Sequence, residues 1–138
     1  MRNIVVLLIA SIVTFHAYAD DKFVLKPSKG GEISELSNEG DLFVLEVKYP
    51  KDILNSAASK GMFGTHATCQ LANSKGFTHF ASLKISDVSK SKSKIVVGLT
   101  NNETDTVSKK WSKYKKSAVN DKVMSYSSTC RGIAMLMK

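Results

Sequence analysis

The sequence predicts an α+β domain: one main helix packed on a mostly antiparallel sheet of about five strands (β-β-α-β-β-β), stapled by one disulfide. Three observations carry that prediction. Residues 41–49 (DLFVLEVKY) alternate apolar and polar side chains, the period of a half-buried strand. Residues 61–85 (GMFGTHATCQLANSKGFTHFASLKI) carry no charge before Lys75, and their apolar spacing changes from helical to period two at Gly76. The only two cysteines, Cys69 and Cys130, follow what reads as an export leader.

That leader spans residues 1–19. A basic start (Met1-Arg2-Asn3) precedes an apolar run at 4–15, and Ala17-Tyr18-Ala19 supplies a small-x-small cleavage site before Asp20. The run is shorter than the ~20 residues of a membrane span, and the acidic pair Asp20-Asp21 follows at once. No lipid-attachment cysteine stands at the site, so the expected product is periplasmic or secreted, with no stable transmembrane segment. Residues 20–138 then form a single domain, small enough to gain from a covalent tie. Closing a loop between positions 69 and 130 is worth roughly 4 kcal/mol in the chain-entropy account.

The elements follow in order. Residues 22–26 (KFVLK) are a short strand ended by Pro27, and residues 28–40 (SKGGEISELSNEG) read as a loop. The strand at 41–49 ends at Pro50 and is expected to pair with the first. A helical patch at 51–59 meets Gly61 and Gly64, each about 1 kcal/mol worse than Ala inside a helix, so a kink or a second helix start is expected there. The helix resumes over 65–74, with Lys75 in its last turn and Gly76 in the left-handed position beyond it. Residues 77–86 and 95–100 are strands, the second with Gly98 as a bulge. Residues 107–122 are basic and weakly patterned. Period two at Ile133, Met135 and Met137 favours a last strand, against a helix over 129–136.

Charge is local. Residues 20–83 carry seven Lys against eight acids, whereas residues 84–122 carry ten Lys against four. Such an imbalance describes a cationic surface. Its densest part, SKKWSKYKK, offers Lys109, Lys110, Trp111, Lys113, Tyr114, Lys115 and Lys116. Lysines would draw an anionic polymer or lipid surface, and the rings would stack or sit at a headgroup interface. The same run also reads as a solvated loop whose two aromatics lie back on the domain, the commoner use of a charge run.

Chemistry has one candidate group: Cys69, His66, His79 and Cys130, as a zinc set or as a Cys–His nucleophile. An oxidised pair has no thiolates to offer, so the disulfide reading weighs against both. Glu32, Glu35 and Glu39 fall in the expected loop with nothing to set two of them across a cleft. No G-x-S-x-G, P-loop or G-x-G-x-x-G occurs. No catalytic residue, metal ligand or cofactor is therefore assigned.

Residues 67–80 (ATCQLANSKGFTHF) resemble a group of small bacterial envelope proteins of uncharacterised function. That group joins an export signal to an alanine-bearing helix running through Gly-aromatic-x-x-Phe into a strand. The likeness implies a bacterial exported α+β domain and carries over no catalytic residue. This chain departs from the group in its cysteine pair and in lacking a lipid-attachment cysteine. The expected function is a non-enzymatic exported binding module for anionic envelope components. The alternatives are an inhibitor or immunity-type module for an envelope protein and, behind it, a Cys/His enzyme or metal-binding protein.

Overall fold

The structure, a computed structural model, describes residues 22–136, and the expected leader lies outside them. Among these residues six strands form one antiparallel sheet: β1 (Val24–Leu25), β2 (Glu32–Glu39), β3 (Leu42–Lys48), β4 (His79–Ser89), β5 (Lys92–Thr100) and β6 (Met124–Ser125). Their order across the sheet is β1-β2-β3-β5-β4-β6, with helix α1 (Ala57–Ser74) between β3 and β4. The α+β class and the disulfide agree with the sequence, while the strand count and order do not.

Helix α1 begins at Ser56, whose hydroxyl accepts from the Ser59 N–H, and runs unbroken past Gly61 and Gly64. The expected interruption is absent because tertiary packing outweighs propensity. Gly64 is buried, and a Cβ there would stand 3.3 Å from Ile95 Cδ1, so the missing side chain lets helix and sheet close up. The helix ends as its sequence indicates. Lys75 is the cap, Gly76 has φ +76°, and the Phe77 and Gly76 N–H groups donate to the Ala72 and Asn73 carbonyls.

The inward face of α1 presents Phe63, Ala67, Leu71 and Ala72 to Phe43, Leu45, Val47, Phe80, Ile95, Val97 and Leu99 of the sheet. Cys69 is bonded to Cys130 with Cα atoms 5.7 Å apart, inside the usual disulfide range. The bond anchors the end of the chain on the helix. There the expected last strand shrinks to β6, followed by a π-helical turn (Tyr126–Cys130) and helix α3 (Arg131–Leu136). The disulfide brings this segment against α1, where a helix and not a strand is the shape that packs.

The other correction is β2, expected as loop. It pairs with β1 on one side and β3 on the other, so the first and third strands are not neighbours. Its inward positions are Ile33 and Glu35, and the carboxylate at the second hid the alternation. Glu35 is buried with Oε1 3.1 Å from Lys75 Nζ and Oε2 accepting from Asn38 Nδ2. Lys75 also lies over the Phe43 ring at 5.6 Å, so one side chain ties the helix end to two strands.

Removing one partner of a buried ion pair strands the other charge. Lys75→Met is expected to destabilise the fold by on the order of 3 kcal/mol, the low end for such a loss because Lys75 keeps some water. Urea denaturation measures it; a change below about 0.5 kcal/mol, the scale of an ordinary surface substitution, would show that Glu35 does not depend on this cation.

Candidate functional site

The face of the sheet turned away from α1 has its own small core and a large cationic area. In β5 the residues Ile95, Val97 and Leu99 face the helix, so Lys92, Lys94, Val96 and Gly98 face the other way. Register then places Lys48 of β3 opposite Lys92, Glu46 opposite Lys94, and Lys84 of β4 opposite Val96. Lys84 reaches this row because the β4–β5 register slips between Ser82 and Lys84. The same slip moves Ile85 opposite Ile95, off the face it would share with Ala81 in a regular strand.

Residues 106–122 fold over one end of this face. Helix α2 (Val107–Lys110) starts at Thr106, whose hydroxyl accepts from the Lys109 N–H, and a 3-10 turn (Ser112–Tyr114) follows. The neck is closed by a Thr106–Lys122 bridge and by Asp121, whose Oδ1 accepts from the Ser108 N–H at 2.8 Å and from its hydroxyl at 2.6 Å. Further on, the Val119 N–H donates to the Ser82 carbonyl and the Ser117 hydroxyl to that of Leu83, covering part of the β4 edge.

Trp111 is the anchor of this loop. It is 5% exposed and packs with Val107, Ala81 and Leu83. Its indole lies directly on Gly98: a Cβ there would stand 2.6–2.8 Å from three ring atoms. Gly98 is therefore not the expected bulge, since register with both neighbours is regular through it. Nε1 donates to Asp41 Oδ1 at 3.3 Å. The indole face is occupied by the protein and has no surface left for a base or headgroup.

The seven residues assigned from the sequence thus divide. Trp111 is packed inward, and Lys110 is held by Asp41 and Asp105, each at 3.3 Å, and by the Thr100 hydroxyl. Lys109, Lys113, Lys115 and Lys116 are exposed, and Tyr114 is half-buried with Lys113 Nζ 5.0 Å from its ring centre. Tyr114, Lys113 and Glu39 also line a shallow depression of about 330 Å³ beside Trp111. To these the fold adds lysines that sequence reasoning passed over. On the sheet Lys92 pairs with Glu46 at 3.6 Å, while Lys84 and Lys94, like Lys109 and Lys116 of the loop, make no ion pair among the described residues. Their signal was the alternation Lys92-Ser93-Lys94-Ile95, which puts both lysines on one side of a strand.

The Cys/His candidates do not converge. Both sulfurs are in the disulfide, so a Cys69 thiolate requires reduction first. His79 opens β4 with Nδ1 2.8 Å from the Thr78 hydroxyl, and His66 is half-buried on α1. Among the described residues no three His, Cys, Asp or Glu side chains are grouped to hold a metal ion, and no helix is long and apolar enough to cross a membrane. Glu32, Glu35 and Glu39 lie along β2, with Glu35 turned to the core. Comparison with protein-family models, with curated proteins and with solved structures finds no match to this chain.

The Trp111–Gly98 contact is testable through the chain's single tryptophan. Gly98→Ala forces the indole off the sheet and is expected to cost about 1–3 kcal/mol, the usual penalty of overpacking, with a red-shifted emission maximum. An unshifted emission with unchanged stability would contradict the packing described here.

The neck is expected to respond to acid. The Ser108 hydroxyl and N–H hold the Asp121 carboxyl below its ordinary value of 3.8, with the nearby Lys115 adding to the effect. The Thr100 hydroxyl, then Lys110, do the same for Asp105. A depressed folded value means that the unfolded chain takes the proton first. The stabilisation is complete above the ordinary value and is lost as pH falls below it. Trp111 emission is expected to shift red in that range, ahead of loss of the sheet by circular dichroism, and Asp121→Ala to show the shift already at neutral pH. Emission that moves only when the sheet melts would show that the neck does not hold the loop.

Proposed function

We propose that the protein is an exported, non-catalytic envelope domain that binds an anionic polymer through the sheet face and loop opposite α1. The observation that supports this reading is the concentration of exposed cations on one face: Lys84 and Lys94 on the sheet, with Lys109, Lys113, Lys115 and Lys116 on the loop above it. Of the acids on that face, Glu46 is paired with Lys92 and Asp121 with Ser108, while Glu32 and Glu39 lie on β2, with β3 between them and the lysines of β5 and β4. Ammonium groups act as point charges without the fixed fork of arginine. Recognition by this face therefore follows the charge density of the ligand, and only Tyr114, at the rim, has a ring within reach of it.

A second reading, a module for a protein partner such as an inhibitor or immunity-type protein, rests on the far half of β4. Beyond Leu83 no strand among the described residues lies beside its outer edge, and Ile85 and Val88 are 49% and 55% exposed. An open edge with apolar side chains is a template for an added strand.

One experiment separates the two. Binding to heparin, as a soluble polyanion, and to vesicles with anionic lipid is measured across a salt series. Affinity is expected to fall steeply with salt. Replacing Lys84, Lys94, Lys113 and Lys116 by Glu is expected to weaken polymer binding at least about tenfold, a loss of 1.4 kcal/mol spread over four contacts. Ile85→Lys with Val88→Lys is expected to leave it intact. A folded quadruple variant that binds as before, or binding lost only in the β4 pair, would remove the polyanion reading. Preference for vesicles over polymer would assign the face to lipid instead. Export is checked by intact mass, which should place the first residue at Asp20.

A further inference from the structure

On the α1 side of the sheet, where β3 runs through Pro50 into the 3-10 turn at Lys51–Ile53, lies a cavity of about 430 Å³. That is within the roughly 300–1,000 Å³ of small-molecule sites. Its apolar lining is Ile53, Met62 and Phe63 together with Pro27 and Pro50, the only two prolines of the chain. A proline ring fixes its own φ, so these walls have little freedom to lose when a ligand enters.

The loop that carries Pro27 is held in place. The Gly30 N–H donates to the Pro27 carbonyl at 3.1 Å. Gly31 has φ +83°, and a Cβ there would come within 2.7 Å of the Lys48 carbonyl oxygen and 2.9 Å of Phe63 Cζ. Only glycine lets the loop sit this close to the helix, so the cavity is formed before anything binds.

The polar groups gather at the rim. Ser28, Ser59 and His66 offer hydrogen bonds, and Lys29 and Asp52 offer charge. An adjoining hollow shares Lys29, Pro50 and Asp52 and adds Lys51, so two cations face one anion. Burial lowers the His66 value below its ordinary 6.5, which leaves the imidazole uncharged at neutral pH with one donor and one acceptor. An apolar slot with a net positive rim complements an anion with an apolar body.

We propose that this cavity binds a small amphipathic carboxylate, its aromatic or short acyl body between the two prolines, Met62 and Phe63, and its carboxylate at Lys29. The site is independent of the polyanion face, because Phe63 belongs to the core under α1 and Trp111 to the core on the opposite side of the sheet. Either can fail without the other.

The test is a titration of the purified protein with 1-naphthoate, with hexanoate and, as an uncharged comparator, with 1-naphthalenemethanol. It is followed by NMR at the Met62 and Ile53 methyl groups and the His66 ring. At least one carboxylate is expected to shift these signals saturably, and the alcohol to bind more weakly than naphthoate. Lys29→Glu, a change at an exposed position, should weaken carboxylate binding about tenfold, the scale of one charge-assisted contact. Met62→Trp should fill the slot and abolish the shifts. No saturable shift with either carboxylate, shifts confined to other residues, equal affinity for the alcohol, or an unchanged affinity in Lys29→Glu would each overturn the proposal.

Discussion

One helix cannot cover two faces of a sheet, and this constraint shapes the rest of the molecule. The side under α1 is closed by Phe63, Ala67 and Leu71 against the strands, with Gly64 allowing the close approach. On the opposite side the described residues place only the short helix α2. That side is closed at one end by a single indole set on Gly98 and left open to water elsewhere, where lysines take the outward positions. The apolar cost of an uncovered sheet is thus met partly by packing and partly by charge.

The second solution has its own strain. Lys48 and Lys92 stand directly opposite each other on neighbouring strands, an arrangement that costs stability and is offset by Glu46 paired with Lys92 and by Glu32 opposite Lys48 on β2. The loop above adds six lysines to one aspartate between residues 106 and 122, yet its backbone is pinned by Trp111 at the centre and Asp121 at the neck. Its cations therefore project from a fixed frame, so the proposed polyanion binding would have little order to impose.

How far the sequence reveals this depends on which signal each element rests on. β3, β5 and the end of α1 were legible, since period two and a Lys-Gly stop are local properties. β2 was not, because its second inward residue is Glu35, whose partner Lys75 lies forty residues away. The C-terminal helix was misjudged because Ile133 and Met135 fit period two about as well as a helical turn, and the cysteine bond that decides between them is not local. Trp111 was the most instructive case. It stood in the sequence among lysines as if offered to a ligand, and its place was set by Gly98, a residue with nothing to offer but room. A lone glycine within a β-branched strand does signal close approach of another group, so that pairing had a trace in the sequence. The cavity between Pro27 and Pro50 had none, since its lining comes from three separated segments.

The bond between Cys69 and Cys130 makes a covalent ring that contains β4, β5, the whole lysine-rich loop and β6. For a protease that cuts after lysine, the exposed Lys29 and Lys51 fall outside that ring, whereas the exposed Lys109, Lys113, Lys115 and Lys116 fall inside it. A single cut there severs the main chain without releasing a fragment. The two pieces stay joined through sulfur and through the strands on either side of the nick. The exposed lysines of this loop are thus sites at which the chain can be cut and still remain one covalent molecule.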